Sequence, residues 1–421
     1  MSNARWVGTY LRGWKVILGA ILMSFILLAA NVSTALTTSA HAHPTTVHLA
    51  SLQMETATVG WATDQHLASP KALFGGQILH TVDGGRQWIN VTPPHVTFNE
   101  QPGPLSLPHD TVTDFVSPAT AWAATETSMP ADGTGTILLS VTHDSGMHWQ
   151  QWTVHLPHLS DSDPDQGVFN PIVNQVDFVN AHVGWMVFGP LIPPGGAMPG
   201  SYGMELWRTT NGGHTWARVY QTAHGITASL TFDSTTSGWM MLEASNRNLP
   251  LYGVTTLERT LNGGHTWTAV SVNLIAGLNL AGLPPIFDGT HGILLTRLFP
   301  GIFAILRTAN GGQHWGDLTT TPISVPSNWW TGQRIINLVS NQVFWILTPP
   351  KLWRSTTGGQ RWTVQSAAPF LRAEHTKNGT YTKSIDFLNQ QIGWLWGNGP
   401  KVWMTTNAGR TWTSWSPVSM P

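Results

Sequence analysis

No cysteine occurs in these 421 residues, so no disulfide framework supports the chain and a lipid-anchored lipoprotein is excluded. Charge is scarce as well: charged residues make up 10% of the chain, with 20 Lys and Arg against 21 Asp and Glu. No basic stripe of the kind that neutralises phosphates is present, which argues against nucleic acid as a partner. Long helix-forming runs are missing, and Tyr (5) is rare beside Trp (23). What is present is glycine (42), proline (28), threonine and tryptophan in short apolar stretches broken by turn residues. That composition points to β structure, and a chain 41% hydrophobic has enough apolar mass for a large core.

The first 42 residues stand apart. Arg5, Arg12 and Lys15 precede the apolar run VILGAILMSFILLAANV (16–32), and small polar residues and AHA (40–42) follow. Charged, then apolar, then small is the layout of a secretory signal, with STA (33–35) as a second cleavage point. A run of 17 also reaches the short limit for a membrane-spanning helix, so residues 1–42 are a signal peptide or a retained N-terminal anchor. Either way the rest of the chain is expected outside the cytoplasm, touching a membrane only through this segment.

One eight-residue pattern recurs seven times: TVDGGRQW (81–88), THDSGMHW (142–149), TTNGGHTW (209–216), TLNGGHTW (260–267), TANGGQHW (308–315), STTGGQRW (355–362) and TTNAGRTW (405–412). Its third position is Asp83, Asp144, Asn211, Asn262, Asn310, Thr357 or Asn407, and it closes on Trp88, Trp149, Trp216, Trp267, Trp315, Trp362 or Trp412. Successive closing tryptophans lie 61, 67, 51, 48, 47 and 50 residues apart, a repeat length typical of propeller blades. Upstream, six units place a large apolar residue seven positions before a second Trp: Met54/Trp61, Phe115/Trp122, Phe178/Trp185, Phe232/Trp239, Leu338/Trp345 and Phe387/Trp394. The unit around Phe287 keeps its Gly292 but lacks that Trp. Each unit therefore reads as strand A, a tight turn, strand B, a variable loop, strand C, the glycine turn and strand D.

Four antiparallel strands repeated seven times predict an all-β, seven-bladed propeller over 43–421. The blades are expected near 46–92, 109–156, 172–221, 226–272, 282–319, 333–366 and 382–416. A blade cannot bury its own faces, so neighbours must cover them, which accounts for the low charge and the many tryptophans. The glycine turn is expected to be a structural staple: Gly supplies positive φ, and Asp or Asn bonds backbone two residues on. The leading Ser or Thr ties to that side chain, and the Trp packs into the blade. Whether TTVHLA (45–50) completes the last blade is left open by the sequence.

The glycine turn resembles the Asp-box, or BNR repeat, of sialidases, sortilin-type receptors and xyloglucan-degrading glycosidases. The fuller unit, GW…TTNGGHTW after a strand such as VDF, is most similar to the photosystem II stability and assembly factor family. The resemblance spans about residues 46–416. It implies an exported seven-bladed propeller without catalytic activity that assists membrane-protein assembly. Asp survives in two boxes, at 83 and 144, and amide and carboxylate both accept hydrogen bonds, so the drift to Asn suits a staple.

Strand parity places A–B and C–D turns on one face and B–C and D–A loops on the other. The large insertions all belong to the second class: 93–110, 155–171, 319–333 and 365–380 between blades, and 125–135, 188–204 and 243–255 within them. That loop-rich face and the central channel mouth are the expected site for a protein partner, since functional loops commonly ride on rigid scaffolds. A carbohydrate ligand, bound by a lectin-like protein or a divergent sialidase or glycosidase, is the alternative. Against catalysis, the Arg-Ile-Pro start of sialidases is absent and Glu is scarce. A glycosidase that pairs two propellers across a cleft would here lack one of them.

Four local candidates follow. Trp329 and Trp330 with Arg334 could stack on a sugar ring or a partner side chain, and Arg372 heads a second small basic cluster with His375 and Lys377. Asp161, Asp163 and Asp165 alternate like the start of a calcium loop, but no Glu closes it, and the plain reading is a solvated acidic loop. Asp114, Asp177 and Asp386 precede the strand-A Phe in three blades. They could converge on a cation or sugar, although their equivalence favours a shared hydrogen bond within each blade. No cofactor is implied.

Overall fold

Each apolar–Gly–Trp mark folds into the first hairpin of a sheet and each glycine box into the second. The third unit shows the register. Strands Pro171–Phe178, Gly184–Pro190, Met204–Thr209 and Ala217–Thr222 pair antiparallel in chain order. Phe178 lies opposite Gly184, Trp185 opposite Arg208, and Arg208 opposite Ala217. The computed structural model describes residues 45–65, 75–96, 111–128, 135–156, 171–190, 204–222, 226–243, 255–270, 272, 278–280, 284–298, 302–324, 335–348, 351–365, 383–397 and 399–420. Among them no helix is long and apolar enough to cross a membrane, and the leader at 1–42 lies outside them.

Seven such sheets make a seven-bladed β-propeller, with blades over 49–90, 111–156, 171–222, 226–269, 278–324, 336–365 and 383–415. Strand A is innermost, and strand A of the last blade packs against strand A of the first, closing the ring. The fifth blade departs from the rest. Its strand A is split into Leu278–Leu280 and Ile286–Asp288, both paired to His291–Leu298, and it runs past the expected 282–319 at both ends.

Closure does not borrow a strand for the last blade. Blade 7 draws all four strands from 383–415, and the chain then continues as Val418–Met420, which pairs parallel with Gln87–Ile89 on the outer edge of blade 1. Thr45–Thr46 pairs antiparallel with that C-terminal strand. Residues 45–50 thus contribute an outermost strand to blade 1 and the start of its innermost one. The strands Thr45–Thr46 and Val418–Met420 cover what would otherwise be an exposed strand edge.

The core lies between blades. Where the next blade offers a strand-A Phe, the strand-B Trp stacks on it: Trp122 on Phe178, Trp185 on Phe232 and Trp345 on Phe387 at ring-centroid distances of 3.7, 3.4 and 3.8 Å, whereas Trp394 packs with Met54 of blade 1. The next blade's box Trp then meets that Phe edge-on, as Trp216 does Phe178 and Trp267 does Phe232. These strand-B tryptophans are at most 2% exposed, and burying each is worth about 4–6 kcal/mol of gross transfer energy. The glycine before the Trp is there for space: a Cβ at Gly238 would come within 2.5 Å of Phe232. Blade 6 exchanges the two volumes, with Leu338 on strand A and Phe344 in the glycine's place.

Candidate functional site

The box turn is saturated from inside. In blade 3 the Thr209 hydroxyl donates to Asn211 Oδ1 at 3.0 Å and accepts from the Gly213 amide. Asn211 Oδ1 also takes the Thr215 amide, and the Trp216 indole donates to the Gly213 carbonyl. The backbone reach is therefore four residues, not the two expected from the sequence. Because Asn has a spare donor, Asn211, Asn262 and Asn407 each donate from Nδ2 to a Thr hydroxyl four residues on, at 2.9, 2.8 and 2.7 Å. Asp144, which has only acceptors, meets His148 Nδ1 there at 2.6 Å. Bonding from the His148 amide and imidazole and the Thr142 hydroxyl holds the Asp144 carboxyl at about 2.

The box is then tied to the A–B turn of its own blade. The amide of its fourth residue donates to that turn's carbonyl in all seven blades: Gly84 to Thr58, Ser145 to Ala119, Gly212 to His182, Gly263 to Thr236, Gly311 to Thr290, Gly358 to Gln342 and Ala408 to Gln391. The two turn classes share one face of the disc. Strand ends flanking the insertions 93–110, 125–135, 155–171, 188–204 and 243–255 sit at the other end of each sheet.

Between blades the same turns serve as acceptors. The Trp185 indole bonds the Gly263 carbonyl at 2.9 Å, Trp394 bonds Gly84 across the ring closure at 3.0 Å, and Arg259 bonds Gly311 at 2.8 Å. The arginines form a row the sequence reading missed. Arg208, Arg259 and Arg354 lie over Trp185, Trp239 and Trp345, with the guanidinium carbon 5.6, 5.0 and 5.3 Å from the ring. The signal was present: Arg directly precedes the box in units 3 to 6, as RTTNGG, RTLNGG, RTANGG and RSTTGG. Desolvation, then the charge of Arg410, lowers the Arg354 pKa. Desolvation likewise lowers that of His80, the blade-1 counterpart, which lies edge-on to Trp61 and bonds the Pro118 carbonyl.

At the hub, the strand-A carboxylates are joined to neighbours, which corrects the expectation of a bond within each blade. Asp114 accepts the Phe178 amide at 2.7 Å, Asp177 the Phe232 amide at 2.8 Å, and Asp386 the Met54 amide at 2.8 Å. Asn337 and Gln53, at the equivalent position, bond the Phe387 amide and the Phe115 carbonyl. The chain of links breaks on both sides of blade 5, where Thr231 and Ile286 stand at that position. Asp177 and Asp386 are buried and committed to backbone, so they do not converge as a cation or sugar site. Burial raises the carboxyls of Asp233 and Glu258, one on an A–B turn and the other on strand C. No group of three or more His, Cys, Asp or Glu suited to a metal occurs among the described residues. Trp329, Trp330, Arg334, Arg372, Asp161, Asp163 and Asp165 lie outside the described residues.

No protein-family model matches this sequence, nor does any curated protein. Among solved structures, the chain is similar to YCF48 bound to a D1 peptide, with 18% identity over 87% of this chain and 92% of that one and a TM-score of 0.47. It is also similar to YCF48 from Cyanidioschyzon merolae, with 15% identity, 86% and 99% coverage and a TM-score of 0.43. A Trypanosoma rangeli sialidase mutant aligns with 11% identity over 72% of this chain and 52% of that one, TM-score 0.38. The likeness to these proteins is one of fold, and a YCF48-like propeller is among the folds this chain resembles.

Proposed function

We propose that this chain is an exported, non-catalytic propeller that binds a protein partner through the face carrying its B–C and D–A loops. One observation carries the reading. In every blade the turn face is closed by a backbone bond from the box to the A–B turn, while the insertions depart from the opposite strand ends. A surface whose two turn classes are bonded to each other in every blade serves the scaffold, and variable loops opposite it are free to specialise. The engagement of the hub carboxylates by backbone supports a non-catalytic role, because glycoside hydrolysis needs two carboxyl groups poised across the bond. The charged, apolar and small-residue order of 1–42 supports export.

Photo-crosslinking tests the assignment. A crosslinking amino acid at exposed Thr127 or His155, on strand ends that border the loops, is expected to capture a protein from the cell that exports the chain. The same group at exposed Val82 or Met147, on the turn side of blades 1 and 2, is expected to capture none. Capture from the turn positions alone, or release of sugar from sialosides or xyloglucan by the purified chain, would refute the reading.

A further inference from the structure

Across each sheet one row of three side chains, from strands B, C and D, faces the following blade on the turn side. The row is Trp185–Arg208–Ala217 in blade 3, Trp239–Arg259–Thr268 in blade 4 and Trp345–Arg354–Thr363 in blade 6. In blades 1, 2 and 7 it is Trp61–His80–Ile89, Trp122–Val141–Gln150 and Trp394–Met404–Thr413. Blade 5 alone is cut back at both ends, as Ile293–Arg307–Gly316. The arginine stays in place, donating to the Thr319 hydroxyl at 2.7 Å and to the Gly358 carbonyl of blade 6. An indole has become an isoleucine, and the strand-D side chain is gone.

A cleft of about 490 Å³ opens there. Ile293, Arg307 and Gly316 line its blade-5 wall, Asn341 and Gln342 of the next A–B turn line the other, and His291 and His314 stand at its rim. A Cβ at Gly316 would meet nothing within 4 Å, so the gap is not refilled from strand D. Blade 5 is also the blade left out of the hub links, which separates this boundary from the rest of the ring. We infer that the cleft between blades 5 and 6 binds an aromatic side chain, indole-sized, from a protein partner. The chain itself gives the precedent: in blades 3, 4 and 6 an indole occupies the equivalent place, with an arginine guanidinium over its ring. Ile293 and Ala309 give the cleft apolar contact and Arg307 a guanidinium face for an aromatic ring, while the amides of Asn341 and Gln342 suit the peptide backbone that would carry one. The site lies on the turn face and is separate from the loop-face partner proposed above.

Saturation-transfer NMR on the full chain tests this with N-acetyl-tryptophanamide, N-acetyl-leucinamide and the peptide Gly-Trp-Gly. The tryptophan amide is expected to bind saturably and at least about tenfold more tightly than the leucine amide, a gap set by stacking on Arg307. Gly-Trp-Gly is expected to bind more tightly still, and equal affinity would refute a polypeptide source. Ile293→Trp rebuilds the row and is expected to abolish probe binding and raise the thermal midpoint. Gly316→Val, which needs no repacking, is expected to abolish probe binding by itself and decides the matter should the first variant misfold. Binding that survives Gly316→Val, or no saturable binding to the unaltered chain, overturns the inference.

Discussion

The bond from Asp386 to the Met54 amide joins residues 332 positions apart and holds the last blade to the first. Asp386 is 8% exposed and Met54 fully buried, so removing the acceptor strands an N–H that water cannot reach. Asp386→Leu keeps the approximate shape and deletes the acceptor. A hydrogen bond to a charged group contributes about 1.5–3 kcal/mol, and an orphaned buried donor costs about 1–3 kcal/mol, so the expected loss is about 2–3 kcal/mol. That corresponds to roughly a 30- to 150-fold shift in the unfolding equilibrium. Asp386→Asn should lose less than about 1 kcal/mol, because it keeps a weaker, uncharged acceptor. Blade 6 already works this way, with Asn337 Oδ1 accepting the Phe387 amide at 3.2 Å. Urea unfolding at neutral pH, followed by tryptophan fluorescence and circular dichroism to check that the transitions coincide, measures both losses. Hydrogen exchange at the Met54 amide should quicken in the Leu variant and change little in the Asn variant. A Leu variant within about 0.5 kcal/mol of the parent, or an Asn variant as damaged as the Leu one, would refute the idea that these links close the ring.

Three further outcomes are expected. Gly146→Ala should lower the urea midpoint well beyond Gly311→Ala: both have positive φ, but a Cβ at 146 would come within 2.5 Å of Val91 Cβ in the preceding blade, whereas one at 311 meets nothing. Ala408 already tolerates a φ of 63° at the position equivalent to Gly311, and the two variants' unfolding curves should separate by more than about 1 kcal/mol. Asp144, held at about 2, should stay ionised in acid. Its contribution to stability is complete above the ordinary carboxylate value of 3.8 and is lost as pH falls through about 2. A carboxyl-carbon NMR titration with a midpoint near 4 would contradict this. Deleting 417–421 removes the strand Val418–Met420 and its pairing to Gln87–Ile89, so amide exchange along Gln87–Asn90 should accelerate and the freed edge should promote self-association, readable by light scattering.

The eight-residue box could be read in sequence because its chemistry is local: Thr209, Asn211, Gly213, Thr215 and Trp216 bond one another within eight positions. A local motif carries its own geometry wherever it is copied. Seven copies at near-constant spacing gave the number of blades, and the swap of Leu338 with Phe344 shows that blade volume, more than residue identity, is what repeats. The hub carboxylates are visible as a pattern in sequence, yet their equivalence points to partners within the blade while the bonds cross to the next one. The partner of Asp177 is an amide 55 residues away, and nothing in the order of residues says whether such a bond turns inward or crosses a boundary.

Sequence alone therefore determined the unit, its turn chemistry, its count and the face from which the insertions leave. Only the tertiary structure decided how the ring shuts, with Val418–Met420 and Thr45–Thr46 layered on blade 1, and where one trimmed row opens a cleft between blades 5 and 6. The reason is that strand pairing and box bonding act over a few residues, whereas closure and vacancy depend on which surfaces meet after seven sheets have turned through a full circle.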